Sequence, residues 1–352
     1  MKPTAIDLFS GCGGLTAGLR KAGFQVLAGV EMESSACAVY QLNHPETHLF
    51  DKDITSLSVA TVKRKLGIQK GQLDLLAGCP PCQGFSTVRT LNGKREIIDE
   101  RNDLIFQFLR LVKGLGPKAV MLENVPGLAE DLRLKLFVDD LNSLGYSVQF
   151  RVLNVADYGV PQRRHRVVLL AGKAGPIPFA PKAKRTVTVR DAIENLPPAG
   201  RSGDAVHDLP ENRTDRIRKL ISSIPKNGGS RNDLPRNLQL ECHKRCDGFK
   251  DVYGRMAWDE VAPTLTTGCF NPSKGRFLHP EEDRTITIRE AALLQTFPRR
   301  YKFLPKLGKV TLATQIGNAL PPEFVKRQAI VVRKYLKDNS TTSRVVRRGI
   351  RD

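Results

Sequence analysis

Short, continuous apolar runs recur through the first half of this chain, separated by stretches with helical periodicity. AIDLF, QVLAGV, LDLLAG, AVMLE, VQFRVLNV and RVVLLAG alternate with LTAGLRKAG, SACAVYQLN, LIFQFLRLVKGL and LKLFVDDLNSLG. A strand that is apolar along its whole length needs cover on both faces, and the intervening helices supply it. The pattern predicts an α/β fold with a doubly wound, mostly parallel sheet over residues 1–172. After Gly172 the alternation stops. Residues 173–285 are rich in Pro, Gly, Arg, Asn and Asp, which predicts a smaller irregular domain with short strands around TLTTG and RFLHP. Pattern resumes near Thr285: TIREAALLQTF has helical spacing, and PPEFVKRQAIVVRKYLKD is a long amphipathic helix opened by proline. That last helix is expected to return to the first domain, so that 286–338 forms a hinge and closing helix and 339–352 a basic tail.

The chain has 352 residues and a net charge of +20. Lys and Arg in such excess gain affinity for a polyanion by displacing its condensed counterions, so nucleic acid is the expected partner. The excess is densest late, +11 over residues 286–352, and charge alone does not locate a recognition surface. No apolar run approaches the roughly 20 residues that span a bilayer. The first strand begins within a few residues of Met1, leaving no room for a signal peptide. These features predict a soluble, cytoplasmic protein with no membrane partner. Seven cysteines, an odd number scattered through the chain, argue against a disulfide framework and for reduced thiols.

Ligands of an open parallel sheet bind outside the carboxyl ends of its strands. AIDLF runs into Ser10-Gly11-Cys12-Gly13-Gly14, a turn that lets backbone N–H groups approach a ligand at a helix start. Thr16 stands where the dinucleotide fingerprint needs its last glycine, and no P-loop lysine follows, which disfavours nicotinamide and ATP. Glu31, at the end of the next strand, is placed to meet a ribose diol. Asp53 occupies a comparable place for an adenine amino group. Together they point to an adenosine-containing ligand. LDLLAG then leads into Gly78-Cys79-Pro80-Pro81-Cys82-Gln83. Two prolines stiffen the approach to Cys82 and favour a nucleophile, with a redox or structural pair Cys79/Cys82 as the alternative. No second C-x-x-C completes a zinc site, and no metal is expected at Cys242, Cys246 or Cys269. AVMLE ends at Glu123-Asn124, bringing a carboxyl to the same edge, where burial would favour its acid form and a proton-donating role. In the extended segment Gln162-Arg163-Arg164-His165-Arg166, residues 162, 164 and 166 share one face. Its arginines serve either as an oxygen clamp or as a solvated charge cluster.

DLFSGCGG, the glutamate of VEMESS, DKDIT, GCPPCQGFS, ENV, QRRHR, REAALLQTFP and IGNALPP occur in the order found in the C5-cytosine DNA methyltransferases. The chain resembles that family over residues 4–172 and 285–335, with the middle matched weakly. The resemblance implies a Rossmann-like methyltransferase fold, S-adenosyl-L-methionine as cofactor and duplex DNA as substrate. Residues 1–172 become the catalytic and cofactor-binding domain and 173–285 the target-recognition domain, where Pro263-Thr264-Leu265-Thr266-Thr267 resembles a recurrent threonine stretch. By the same resemblance Cys82 attacks C6 of a flipped cytosine, Glu123 protonates or hydrogen-bonds N3, Arg166 contacts O2 and Arg164 supports the catalytic loop. Phe9, Gly11, Gly13, Leu15, Glu31, Met32, Asp53, Ile54, Pro80 and Asn318 match its cofactor contacts, and Phe85 to Asp103 looks like its mobile loop. Many such enzymes protect a genome beside a restriction endonuclease, while others act alone.

The nearest rival is the family's tRNA-methylating branch, whose members carry a Cys-Phe-Thr signature late in the recognition region. Here Cys269-Phe270-Asn271 lacks the threonine. A catalytically silent DNA-binding relative conflicts with the presence of every expected catalytic residue. Neither the recognised sequence nor any oligomer is legible.

Overall fold

The computed structural model of the chain describes residues 1–81, 104–241 and 251–348, with 341–348 as backbone only. The chain divides into two compact units. One comprises 1–154, 165–182 and 322–352; the other comprises 155–164 and 183–321.

The first unit is built on β1 (Thr4–Leu8), β2 (Gln25–Glu31), β3 (His48–Asp51), β4 (Leu75–Gly78), β5 (Ala119–Asn124), β6 (Ser147–Asn154) and β7 (His165–Gly172). They form one seven-stranded sheet in the order β3-β2-β1-β4-β5-β7-β6. The first five strands are mutually parallel, whereas β7 runs antiparallel to both β5 and β6. Helices α1 (Gly14–Lys21), α2 (Ser34–Asn43), α3 (Val59–Leu66), α4 (Leu104–Leu115) and α5 (Leu132–Ser143) complete the α/β layers, in agreement with the mostly parallel sheet expected. β3 escaped the sequence pattern because HLFD has too few residues to show a period.

Local chemistry sets the helix ends. The Glu33 carboxylate accepts from the Ser35 and Ala36 N–H groups at the start of α2, and Ser58 accepts from Thr61 N–H at the start of α3. Such caps satisfy donors that the first helical turn leaves without partners. The main core joins Ile6, Leu8, Leu76, Val120 and Leu122 of the sheet to Phe108 and Val112 of α4 and Phe137 of α5. The Phe108 and Phe137 rings meet edge to face, 5.8 Å apart, an arrangement that aromatic quadrupoles favour.

The second unit contains α6 (Val189–Ile193), α7 (Asp215–Ser223), α8 (Ile288–Leu294) and α9 (Gly308–Asn318). Strands were expected around TLTTG and RFLHP. Among the described residues these segments form only isolated bridges, Gln162 with Ala262 and Leu278 with both Arg255 and Thr285. The reason is that buried side chains take the backbone partners a strand would use. Arg255 is fully enclosed, and its guanidinium donates to the carbonyls of Ile221, Ile224, His279 and Glu282 and to the Asp283 carboxylate. Arg284 likewise forks onto Glu290, whose carboxylate also accepts from Thr287 N–H at the cap of α8.

Finally α10 (Pro322–Arg348) returns to the first unit and packs along α1. Arg333 donates to the Ala22 carbonyl (2.8 Å), and Gln328 accepts from Ala180 N–H (3.0 Å). The helix continues through 339–348, within the 339–352 segment expected to be a basic tail.

Candidate active site

Parallel pairing sets Leu8 beside Val30 and Gly78, Glu31 beside Asp51, and Gly78 beside Leu122. The carboxyl ends of five strands therefore share one edge. Because β7 is antiparallel, its beginning, with Arg166, reaches the edge at which β5 ends.

At the end of β1 the turn alternates into the left-handed region at Phe9 (φ 60°), Gly11 (φ 53°) and Gly13 (φ 94°). Glycine adopts this freely, but a phenylalanine there stores about 1–3 kcal/mol of strain, of the kind that collects at ligand sites. Hydrogen bonds hold the strain in place. Ser10 N–H donates to the Val30 carbonyl (2.9 Å), while Ser10 Oγ donates to the Asp7 carbonyl and accepts from Val30 N–H. Glu31 completes the turn: its carboxylate accepts from Gly11 N–H (2.8 Å) and from the Met32 and Glu33 N–H groups. A carboxylate has about four acceptor positions, and the described residues fill three of them. Leu15 is buried on α1 and Ile54 just after Asp53, while Met32 stands exposed. Asp53 accepts from Thr55 N–H (2.8 Å), and the Ile54 carbonyl is held by Arg110.

After β4 the chain passes Cys79 and Pro80. Asn124 Nδ2 donates to the Pro80 carbonyl (3.0 Å), tying this segment to the end of β5. Next to Asn124, the buried Glu123 carboxylate pairs with Arg166 Nε at 2.8 Å. Arg166 also donates to the His165 carbonyl. Burial of the sulfur, with Glu123 and Asp7 close by, pushes the Cys79 thiol well above its ordinary value. It stays protonated and is a poor nucleophile.

In the second unit Gln162 and Arg164 are buried, whereas Arg163 and the following His165 are exposed. Gln162 Oε1 accepts from Leu265 N–H (2.8 Å) and Arg164 Nη1 donates to the Leu265 carbonyl (3.0 Å). Thr264 Oγ1 donates to the Arg163 carbonyl, and Arg163 N–H to that of Ala262. The QRR segment is thus zipped to the threonine stretch 263–267. Gln162 Nε2 in turn donates to Gln295 (2.8 Å), fixing α8 to the same assembly. Asn318, the last residue of α9, is exposed.

Cys82, the segment Phe85 to Asp103, Cys242 and Cys246 lie outside the described residues. Cys269 is buried in the second unit, its thiol pushed up to about 12 by burial. Sequence reasoning gave no role to Asn124, although ENV placed it beside Glu123, nor to Gln295. Asp7, Thr16 and Tyr40, which support the glycine turn from below, also went unassigned.

The sequence matches the family described as C-5 cytosine-specific DNA methylase over residues 4–333. It is 38% identical to the Type II methylase M.HgiDII of Herpetosiphon aurantiacus, covering 98% of this chain and 99% of the relative. It is 35% identical to the Type II methyltransferase M1.HphI of Haemophilus parahaemolyticus, covering 95% and 87%. A solved chain described as a DNA modification methyltransferase encoded within an E. coli prophage superposes with a TM-score of 0.71 at 25% identity, covering 95% of this chain and 99% of that one. This chain belongs to the C-5 cytosine-specific DNA methylase family.

Proposed function

We propose that the chain is a DNA (cytosine-5-)-methyltransferase that uses S-adenosyl-L-methionine and a Cys82 nucleophile, and that it acts as the modification enzyme of a Type II restriction–modification system. The observation that carries this reading is the Glu123–Arg166 pair. It sits at the strand edge beside the Cys79–Pro80 segment, two residues before Cys82. The strained Phe9 turn and the carboxylate of Glu31 fit an adenosine moiety, with Asp53 available to its amino group. When bound, the cofactor supplies an electrophilic methyl group on a sulfonium sulfur.

Cytosine is a poor electrophile, so addition of a thiolate at C6 must be accompanied by neutralisation of the charge that grows on N3 and O2. Glu123 is assigned to N3 and Arg166 to O2. Their mutual ion pair holds both groups in one orientation before a base arrives, which reduces reorganisation during the reaction. A base inside a duplex is out of reach, so the target must leave the stack, at a cost of about a few kcal/mol met by contacts in the pocket. Arg164 and Gln162 act at one remove, by holding Leu265 and the recognition segment.

The test is transfer of labelled methyl groups to duplex DNA and to tRNA side by side, followed by bisulfite sequencing of the DNA. Label in C5 of cytosine at one DNA sequence is expected, and Cys82→Ser should abolish transfer while retaining cofactor binding. Label on tRNA alone, or transfer that survives Cys82→Ser, would overturn the reading.

A further inference from the structure

Beneath the glycine turn lies a chain of buried polar side chains that the proposed methyl transfer does not use. Asp7 is fully enclosed on β1. Its Oδ2 accepts from Thr16 Oγ1 at 2.6 Å, and Thr16 Oγ1 lies 2.9 Å from the Tyr40 hydroxyl, which reaches Thr47. Thr47 Oγ1 donates to the Val26 carbonyl. Gly29 makes room for the chain, since a Cβ there would meet both Tyr40 Oη and Ser10 Oγ. The second carboxyl oxygen of Asp7, Oδ1, is enclosed without a hydrogen-bond partner among the described residues.

An enclosed carboxylate with one bare oxygen is costly when ionised, unless a positive charge comes near. Among the described residues, the groups facing Asp7 do not provide one. Cys12 in the turn and Cys79 after β4 are thiols pushed upward by burial, and Tyr40 on α2 is a phenol raised in the same way. His44, at the end of α2, is held down to about 4 by burial and by Arg20, and so is neutral near pH 7. The nearby carboxyl groups, Glu31 on β2 and Glu123 beyond Cys79, bring no positive charge, and Arg166 is paired with Glu123. Arg20 is bonded to His44 and paired with Glu46. Burial then lifts the Asp7 carboxyl to about 7, so its charge changes in the physiological range.

We propose that Asp7 senses the charge of the cofactor, ionising when the cationic S-adenosylmethionine occupies the turn and holding its proton when the neutral product S-adenosylhomocysteine does. The inference rests on the cofactor assignment proposed for this turn. In the ionised state Tyr40 donates to Thr16 and Thr16 to Asp7; in the acid state Asp7 donates to Thr16, Thr16 to Tyr40 and Tyr40 to Thr47. No bond other than O–H changes, and the proton released on binding passes to solvent. Asp7 is a positioning residue that favours the charged cofactor over its spent form.

Isothermal titration of the whole chain with each nucleoside at pH 6, 7 and 8 tests this without a turnover measurement. If the bound sulfonium makes the Asp7 carboxyl about tenfold more acidic, the linked gain in cofactor affinity is up to about tenfold. S-adenosylmethionine should therefore bind several-fold tighter at pH 8 than at pH 6, and S-adenosylhomocysteine should change little. Runs at pH 7 in buffers of different ionisation enthalpy should show a fraction of a proton released with the sulfonium compound alone. The amine of the ligand titrates in this range for every variant, so the decisive quantity is the wild-type slope minus the Asp7→Asn slope. Thr16→Val, which removes a donor to the carboxylate, should move the pH dependence upward. Equal slopes for the two nucleosides, or an Asp7→Asn slope like that of wild type, overturns the charge sensor while leaving the cofactor assignment standing. No binding of either nucleoside at any pH overturns both.

Discussion

Glu123 and Arg166 have side chains only 9% and 14% exposed and form an ion pair with each other. Truncating either leaves the other buried with neither a charge partner nor a hydrogen-bond partner, so the informative change at Glu123 is the isosteric one, which keeps an acceptor for Arg166. Glu123→Gln is expected to lower kcat by about 10²–10⁴-fold, the usual worth of a positioned acid–base group, with cofactor affinity by titration calorimetry unchanged. Cys79→Ala should leave methyl transfer intact, because a thiol held protonated beside a carboxylate contributes no nucleophile. The buried His44 gives a stability test. Its folded value lies near 4 against an ordinary 6.5, so the unfolded chain takes up the proton first and stability falls as pH drops below about 6.5. Between pH 7 and 5 the loss is about 2 kcal/mol. Asp7, whose folded value is raised to about 7, has the opposite sign: it destabilises the fold increasingly as pH rises from about 4 to about 7. The two nearly cancel in the wild type. Urea titrations at pH 5 and 7 should therefore reveal acid destabilisation in Asp7→Asn and its reverse in His44→Gln.

At the scale of elements, the antiparallel β7 decides the site. Had β7 followed a crossover helix and run parallel, Arg166 would begin the strand at the wrong edge. The connection 155–164 is too short for a crossover, which takes a dozen residues or more, so this reversal was implicit in the spacing of VQFRVLNV and RVVLLAG. The irregular unit obeys a different rule. Its loops are held by Arg255, enclosed among four carbonyls and Asp283. Arg255→Leu is expected to cost about 3–5 kcal/mol, the penalty for leaving such partners buried and unpaired. In a calorimetric scan the second unit should melt early while the transition of the sheet unit stays in place; a single unshifted transition would contradict this keystone role.

For the whole molecule the governing quantity is the net charge of +20. A protein that neutralises six or more phosphates loses about 10³-fold or more in DNA affinity between 50 and 200 mM salt. Filter binding or fluorescence anisotropy across that range should show a steep log–log slope for any duplex, specific or not. A flat response would mean that the cations face solvent rather than phosphate. None of the helices among the described residues is long and apolar enough to cross a membrane.

Residue order along this chain settled the sheet class, the glycine turn at Ser10–Gly14 and the acidic strand ends Glu31 and Glu123, because each is written in a local period or a turn chemistry. The motifs ENV and QRRHR were visible too, but which residues they bond was not. Only the folded chain paired Glu123 with Arg166, separated Arg164 onto Leu265, and gathered Asp7, Thr16 and Tyr40 into one enclosed line. These contacts join residues far apart along the backbone, through burial that no local pattern encodes. The same cause replaced the expected strands around TLTTG and RFLHP with side-chain bonds. Propensity describes a segment by itself, whereas the choice between a strand and an arginine-held loop depends on what the rest of the chain brings to its unpaired backbone groups.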